Sequence, residues 1–260
     1  MFYKTLIIIL LYFLLICLIN NFKIEFFSKK KCKINIIVPI RDREKELSVF
    51  IKNIDRVFKM KNIEYKLYLI EQTHENKLFN RGKLLNIGFL EANKNKDNFS
   101  DHYLLSDVDI YPKTKYIFNI ECKKEYRHLY GNINIAGGVF TINSNLFKKI
   151  NGFSNNYWGW GYEDDDLSVR LKLLKIPINL KHIKKRPDSN VGDLPSKPDY
   201  QKQKKKMGSN NKLLYHKCKK EYRKNIKNIL KDGLRTCNYT VLKKYYYHGN
   251  NNIIRILVDI

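Results

Sequence analysis

The sequence predicts an α/β fold in which helices flank a mostly parallel central sheet. Three observations support it: continuous β-branched runs typical of buried strands, intervening segments with helical spacing of apolar residues, and polar motifs directly after two runs. Alternating strands and helices form βαβ units, whose ligands bind beyond the carboxyl ends of the strands. The sequence therefore predicts a binding site at that edge of the sheet.

The predicted elements follow from these patterns in chain order. Residues 34–40 (INIIVPI) are mostly apolar and β-branched and end at Pro39-Ile40, whereas residues 65–70 (YKLYLI) alternate in polarity. The remaining strands are expected at 103–105, 133–142, 237–247 and 253–259. Helices are expected at 44–59, 83–92 and 163–174, with a short one capped by Asn143 or Ser144. Residues 184–232 are rich in Lys and interrupted by prolines, which predicts a long loop with one helix.

Composition excludes several classes of protein. The 260 residues are 43% hydrophobic, which is enough for a packed core and excludes wholesale disorder. Five cysteines in a chain of this length exclude a small disulfide scaffold. The net charge of +25 has two interpretations, an AT-rich coding sequence or attraction to an anionic partner. Arg residues are scattered rather than clustered with aromatics, so no specific nucleic-acid partner is expected.

The N-terminal segment predicts a membrane anchor. Residues 6–19 (LIIILLYFLLICLI) are apolar and uncharged, which favours a short uncleaved signal-anchor at about residues 5–22. A cleaved signal peptide and a buried core helix are the alternatives. Either targeting segment would send the rest of the chain into a secretory lumen. There, two or more of four cysteines could pair, and the sequence does not say which: Cys32, Cys122, Cys218 and Cys237.

An acidic pair follows the third predicted strand. Asp107 and Asp109 flank Val108, so two carboxylates lie at a strand end. Such carboxylates can hold Mn²⁺ or Mg²⁺ while a nucleotide diphosphate completes the coordination shell. Acidic pairs are also common in ordinary loops, so this motif alone is weak.

A second acidic motif is more specific. Residues 156–166 (NYWGWGYEDDD) contain both tryptophans of the chain and four successive carboxylates. An aromatic face stacks against a sugar ring, and carboxylates accept hydrogen bonds from hydroxyls or take a proton. The alternative is a solvated helix start beside a core aromatic, but four adjacent carboxylates repel one another. Arg41, Arg43 and Arg81 add cations suited to phosphate, although each alone could be a surface residue.

These motifs resemble the beta-1,4-galactosyltransferase family, which includes xylosylprotein galactosyltransferases. The resembling blocks occur in family order over roughly residues 34–242. They are IIVPIRDRE (36–44), LFNRGKLLNIGFLEA (78–92), SDVD (106–109), GGVFTINSNLFKKINGFSNNYWGWGYEDDD (137–166), His182 and DGLRTCNYTVL (232–242).

The resemblance implies a GT-A type nucleotide-sugar transferase fold. It implies a single-pass type II protein of the Golgi, with residues 1–30 as cytosolic end, anchor and stem. Residues 31–260 would form one lumenal catalytic domain with a flexible Lys-rich loop at about 184–231. The implied reaction transfers galactose from UDP-galactose to the 4-OH of a terminal GlcNAc or xylose, with inversion. The implied cofactor is Mn²⁺, with Mg²⁺ as the alternative.

The resemblance also assigns roles to residues. Asp164 would be the catalytic base, aided by Glu163, and Asp109 with His182 would bind the metal. The donor site would contain Pro39, Arg41, Arg43, Phe79, Arg81, Asp107, Val108, Gly138 and Trp160. The acceptor site would contain Tyr162, Glu163, Asp164 and Asp165. The Lys-rich loop after His182 would close over the donor and exclude water.

Several positions depart from the family pattern. Asn179 and Lys184 stand where a third metal ligand is often found. Ile135 replaces a Tyr, and its smaller side chain would admit an N-acetyl group, so UDP-GalNAc is a second expected donor. Tyr162 replaces Gly or Arg beside the acceptor site, which leaves the choice of acceptor open. The long loop also diverges from the family, so its residues do not separate GlcNAc from xylose acceptors. The rival hypotheses are a non-catalytic glycan-binding protein on the same fold and a basic protein of nucleic acid or membrane surfaces.

Overall fold

The computed structural model describes residues 11–12, 15–16, 32–73, 77–94, 99–114, 118, 120–181, 183–185, 188–193 and 198–260. Contacts divide the chain into two units, 1–31 and 32–260. In the first unit, residues 11–12 and 15–16 are helical, and the rest of the predicted anchor lies outside the described residues. Within the described ranges, no helix combines the length and apolar character needed to cross a bilayer.

The second unit is a mixed α/β fold. Its strands are β1 (Lys33–Ile40), β2 (Glu64–Gln72), β3 (His102–Leu105), β4 (Ile110–Pro112), β5 (Tyr126–Gly131), β6 (Val139–Asn143), β7 (Ile178–Asn179), β8 (Lys184–Lys185), β9 (Val191–Asp193), β10 (Thr240–Tyr246) and β11 (Ile253–Asp259). Its helices are α1 (Glu44–Met60), α2 (Arg81–Lys94), α3 (Ser144–Lys149), α4 (Glu163–Leu173) and α5 (Pro198–Lys224). Short 3-10 helices occupy Ile226–Lys231, Leu234–Thr236 and Tyr247–Gly249.

One large sheet organises this unit, with the order β10-β11-β2-β1-β3-β6-β5-β7 and β8 beside β5. The four neighbouring strands β11, β2, β1 and β3 run parallel. The β3–β6, β5–β6 and β10–β11 pairs are antiparallel, and β4 pairs with β9 in a separate ribbon. The carboxyl ends of the parallel strands therefore lie at one shared edge, which is where α/β sheets bind their ligands.

Strand β1 is buried on both faces because its alternate side chains enter two different cores. Ile37 belongs to the core beneath α2, whereas Ile36 and Val38 belong to the core beneath α1. Helix α2 approaches closely at Gly88, where an added Cβ would lie 2.3 Å from Cγ2 of Ile37. The continuous apolar run of β1 thus reflects cover by helices on both sides.

The predicted strand over residues 133–142 is wrong in its first half. The strand β6 begins only at Val139, and residues 132–138 form turns that end at Gly138, whose φ is +60°. The partner strand β5 was not predicted, because Arg127 and His128 interrupt its apolar pattern. Both side chains are nevertheless buried, and Arg127 pairs with Glu121 and Glu125.

The C-terminal part follows the prediction more closely. The one helix expected within residues 184–232 is α5, which occupies more than half of that segment. The expected closing strands correspond to β10 and β11. Asn143 caps α3 by accepting a hydrogen bond from the N–H of Asn145 (3.0 Å), which decides between the two predicted caps.

A disulfide ties the start of the sheet to the segment before β5. Cys32 and Cys122 are bonded across 90 residues of sequence, whereas Cys218 and Cys237 are free thiols. Cys32 lies directly before β1, so the bond fixes the entry of that central strand. A cross-link over so long a loop restricts the unfolded chain strongly.

Replacing both Cys32 and Cys122 by Ser should lower the free energy of unfolding by about 2–5 kcal/mol, because the closed loop is long. Denaturant unfolding of the full chain measures this change. The control is Cys218→Ser, a half-buried free thiol, which should change stability much less. Equal unfolding free energies for the double variant and the unsubstituted protein would contradict the prediction.

Candidate active site

The candidate site is arranged around one side chain, that of Arg81 at the start of α2. Its Nε donates to Oδ1 of Asp107 (2.5 Å), and its Nη1 donates to Oδ1 of Asp164 (2.9 Å). Nη1 also lies 3.7 Å from Oε1 of Glu163, and Nη2 donates to the carbonyl of Gly138 (3.3 Å). The strand-end carboxylate of Asp107 and the helix-start carboxylates of Glu163 and Asp164 therefore lie around one guanidinium group.

The loop before α2 fixes the position of Arg81. Asn80 is fully buried, and its Oδ1 accepts a hydrogen bond from the N–H of Lys83 (2.9 Å) in the first turn. Its own N–H donates to Oε1 of Gln72 at the end of β2 (3.0 Å), and its Nδ2 donates to the carbonyl of Asn155 (2.7 Å). The end of β2 therefore anchors the start of α2. So does the loop of residues 155–162, which contains both tryptophans and is called the aromatic loop below.

Glycines allow Asp164 to approach the turn before β6. A Cβ at Gly137 would lie 2.1 Å from Cγ of Asp164, so only glycine leaves room for this carboxylate. The N–H of Gly138 donates to Oδ2 of Asp164 at 3.4 Å. Gly138 itself has a left-handed backbone, and a Cβ there would lie 2.5 Å from the carbonyl of Tyr130. Gly137 and Gly138 therefore leave the space that the carboxylate of Asp164 occupies.

Three of the four successive carboxylates of α4 pair with two arginines, which limits the mutual repulsion of the carboxylates. Glu163 and Asp164 face Arg81, whereas Asp166 accepts a hydrogen bond from Nε of Arg170 (2.6 Å). Asp166 and Arg170 are both fully buried. All four carboxylates lie in the first turn, where they also complement the helix dipole.

Burial perturbs the acidic groups of the site. It raises the pKa of Asp164 above the usual range for Asp, while the Arg81 charge opposes that rise. The pKa of Glu163 is raised by burial and by the neighbouring Asp164, again against the effect of Arg81. A carboxylate with a raised pKa binds a proton more readily, which suits a general base.

The aromatic loop is held by a residue that the sequence did not single out. Nδ2 of Asn211 in α5 lies 3.1 Å from each of three carbonyl oxygens, those of Trp158, Trp160 and Gly161. The N–H of Gly159 donates to the carbonyl of Phe79 (2.8 Å). Asn211 lies in a Lys- and Asn-rich segment, where no local pattern distinguishes it.

The other predicted donor residues lie in different settings. The guanidinium of Arg41 lies 5.4 Å from the ring centre of Phe79, and its Nη1 donates to the carbonyl of Lys77 (2.9 Å). Arg43 instead pairs with Glu46 at 2.9 Å in the first turn of α1. Pro39 is buried within β1, and Val108 is buried in the turn after β3. The structure thus brings Arg41 and Phe79 together directly before Arg81.

Ile135 and Tyr162 are the two positions at which the sequence predicts an effect on donor or acceptor choice. Ile135 is half-buried in the turn before Gly137, where its N–H donates to the carbonyl of Asn132 (3.2 Å). Tyr162 is the N-cap of α4 and has a φ of 73°, which is rare for a bulky residue. Both positions border the segment that holds Asp164.

Of the two predicted metal ligands, Asp109 lies within the described residues. Asp109 is half-buried in the turn after β3, and a carboxylate there offers the oxygen ligand that Mn²⁺ or Mg²⁺ prefers. His182 lies outside the described residues. Asn179 donates to Oε2 of Glu125 (2.8 Å), and Lys184 lies in β8. Among the residues that the structure describes, no three or more His, Cys, Asp and Glu side chains form a metal-binding group. The donor at Asp109 fits the implied metal.

Sequence profiles and relatives identify the family. Two consecutive profiles match: "N-terminal region of glycosyl transferase group 7" over residues 27–123 and "N-terminal domain of galactosyltransferase" over residues 119–189. Human beta-1,4-galactosyltransferase 4 is 33% identical over 248 residues, covering 90% of this chain and 66% of that protein. The mouse beta-1,4-galactosyltransferase 4 is 38% identical over 181 residues, covering 64% of this chain and 49% of that protein. The chain thus spans about half to two thirds of the length of these relatives.

A solved structure shows the same fold. A mutant of Drosophila beta-1,4-galactosyltransferase 7, in complex with manganese, UDP-Gal and xylobiose, matches with a TM-score of 0.65 and 21% identity. The match covers 88% of this chain and 94% of that chain. The profiles and the relatives therefore define the class, which is that of the glycosyltransferases. Within this class, the chain belongs to the beta-1,4-galactosyltransferase family.

Replacing Gly137 by Ala should reduce kcat/KM for sugar transfer about 100-fold, because the added methyl group displaces Asp164 and small misplacements of reacting groups are costly. Steady-state kinetics of the full chain measure the loss. The matched control is Gly208→Ala in α5, where an added Cβ meets nothing within 4 Å. If Gly137→Ala and Gly208→Ala had the same kcat/KM, the position of the Asp164 carboxylate against Gly137 would not matter for the reaction.

Proposed function

We propose that this protein transfers galactose from UDP-galactose to the 4-OH of a terminal GlcNAc or xylose on a glycoconjugate. The observation that supports it most directly is the bridge from Arg81 to Asp107 and Asp164, which joins the strand-end and helix-start carboxylates. Relatives named beta-1,4-galactosyltransferases and the Drosophila complex with UDP-Gal and xylobiose support the same reaction. Acceptor identity stays open between the two sugars.

Asp164 is the proposed general base. Its Oδ1 accepts from Arg81 and its Oδ2 from the N–H of Gly138, so the carboxylate has a fixed orientation. Burial raises its pKa, which favours uptake of the proton from the acceptor hydroxyl. That oxygen attacks C1 of the sugar from the face opposite UDP. One base and no covalent intermediate are needed, by analogy with inverting hydrolysis.

The remaining residues of the site position the donor. Arg41 and Phe79 lie beside the loop that leads to Arg81, which suits contacts with the nucleotide. Asp107 and Glu163 would accept hydrogen bonds from sugar hydroxyls, and Trp160 would stack against the sugar. Asp109 and His182 would hold Mn²⁺ or Mg²⁺, and the Drosophila relative was crystallised with manganese. A divalent cation there would supply positive charge opposite the diphosphate.

The cellular setting is proposed to be the secretory pathway. The apolar run at residues 6–19 supports a type II anchor, with the catalytic unit in the Golgi lumen. The bond between Cys32 and Cys122 supports an oxidising compartment, since cytosolic thiols are kept reduced.

UDP-GalNAc is a second candidate donor because Ile135 is smaller than the Tyr common in the family. A non-catalytic glycan-binding protein is the other alternative. The site geometry disfavours it, because Asp164 has both a fixed orientation and a raised pKa. Transfer assays with UDP-Gal and UDP-GalNAc, each against GlcNAc and xylose glycosides, separate all these possibilities.

Asp164→Asn should lower kcat about 10²–10⁴-fold, because the amide cannot take the proton from the acceptor. The same variant should bind UDP with unchanged affinity in calorimetric titrations, since its oxygen still accepts from Arg81. Asp55→Asn on α1 is the matched control, because its oxygen still accepts the hydrogen bond of Tyr65. Normal turnover by Asp164→Asn would overturn its role as the base.

A further inference from the structure

The outer face of α5 has a continuous basic stripe, defined as His216, Lys219, Lys220, Arg223 and Lys224. These residues recur three and four positions apart, which places them on one side of the helix. They line a cleft with a volume of about 450 Å³. All except the half-buried Lys219 are exposed. The acidic neighbour Glu221 pairs with Lys224 (3.1 Å) and offsets one of these charges, so the stripe keeps a net positive charge.

The stripe is not the face that attaches α5 to the rest of the unit. The inner face does this through Asn211, which binds the aromatic loop, and Tyr222, whose hydroxyl accepts from Arg170 (2.9 Å). Cys218 on the same inner face is half-buried. The basic side chains are therefore not needed to hold the helix in place, and their cleft faces solvent.

An aromatic pair connects the stripe to the candidate active site. The ring of Tyr215 lies 5.6 Å from that of Tyr162, the residue directly before Glu163 and Asp164. Lys219 donates to the hydroxyl of Tyr215 (3.1 Å), and its charge acts on the half-buried Asp165. The left-handed backbone of Tyr162 is strained, and such strain concentrates at functional sites. The stripe thus begins where the proposed acceptor sugar would bind.

The position of these charges separates them from the general excess of Lys in the chain. A Lys-rich composition places cations anywhere on the surface, whereas these five occupy one helical face, and one of them, Lys219, contacts Tyr215 beside Tyr162. Exposed cations attract anions most strongly where several lie together. A flat aromatic pair beside them suits the ring of a sugar.

We propose that the basic stripe, with Tyr162 and Tyr215, binds an anionic group on the acceptor glycan, one located next to the accepting sugar. This inference rests on the proposed function, because it names the class of acceptor. Carboxylates, sulfate esters and phosphate esters share the required chemistry, since each accepts charge-assisted hydrogen bonds from Lys and Arg. The accepting sugar lies at Asp164, the next ring contacts the tyrosine pair, and its anionic group reaches the stripe.

The test uses the full chain and compares two acceptors that differ by one carboxylate. These are the benzyl glycoside and the 4-carboxybenzyl glycoside of the same sugar, either GlcNAc or xylose. Titration calorimetry measures their affinities, and steady-state kinetics with UDP-Gal and Mn²⁺ measure turnover separately. The carboxylated glycoside should bind about fivefold more tightly in low salt, as expected for a few exposed ion pairs. This preference should largely disappear at about 1 M salt, where exposed charges are screened.

The triple variant Lys219→Gln, Lys220→Gln, Arg223→Gln should reduce the affinity ratio to about one. The matched control removes three positive charges from α1, as Lys45→Gln, Lys52→Gln and Lys59→Gln, and should keep the ratio. Equal affinities of the two glycosides for the unsubstituted protein, or loss of the preference in both triple variants, would overturn the inference. Tighter binding of hexaglutamate, without any preference between the glycosides, would overturn it in favour of an acidic protein partner.

The two proposals fail in different ways in this design. If the carboxylated glycoside binds preferentially and only the α5 variant loses the preference, while no sugar is transferred, the stripe is supported and the transfer reaction is refuted. If both glycosides are galactosylated with equal affinity and rate, the reaction is supported and the stripe is refuted.

Discussion

A single, largely buried guanidinium group, that of Arg81, holds the candidate active site together. It lies among three carboxylates, those of Asp107, Glu163 and Asp164, which would repel one another without it. Charge-assisted hydrogen bonds to a planar guanidinium also fix the directions of Asp107 and Asp164. The positive charge of Arg81 therefore allows Asp107 after β3 and Asp164 in α4 to lie close together. The loop before α2 and the Gly137-Gly138 turn hold these groups in position.

A second arginine, Arg170, pairs with another carboxylate of α4 in the core. Arg170 is fully buried, donates to Asp166, and also donates to the carbonyls of Gly152 (3.2 Å) and Asp232 (3.0 Å). Arg81 thus pairs with Glu163 and Asp164 at the candidate site, whereas Arg170 pairs with Asp166 in the core. Because Tyr222 of α5 joins the Arg170 network, the helix with the basic stripe is fixed relative to the proposed base. Substrate contacts on α5 would therefore be positioned accurately relative to Asp164.

Local sequence pattern predicted much of this fold, but not the contacts that make the site. The β-branched run of β1 and the helical spacing of α1 depend on burial of regular faces, and both segments formed as expected. Strand β5 was missed because buried Arg127 and His128 hide its pattern. Motifs indicated Asp107 and Asp164 separately. The bridge between them depends on a side chain 26 and 83 residues distant, which no local period can reveal. Asn211 was missed for the same reason.

The most direct test of this account is a double-mutant cycle with Arg81→Gln and Asp164→Asn. The free energy of unfolding is measured for the unsubstituted protein, the two single variants and the double variant. Either substitution removes one charge of the ion pair between Arg81 and Asp164, so the second substitution has no attraction between these two groups left to remove. The account predicts a coupling energy of about 2 kcal/mol between the two positions. Additive effects of the two substitutions would contradict it, because Arg81 and Asp164 would then not depend on each other.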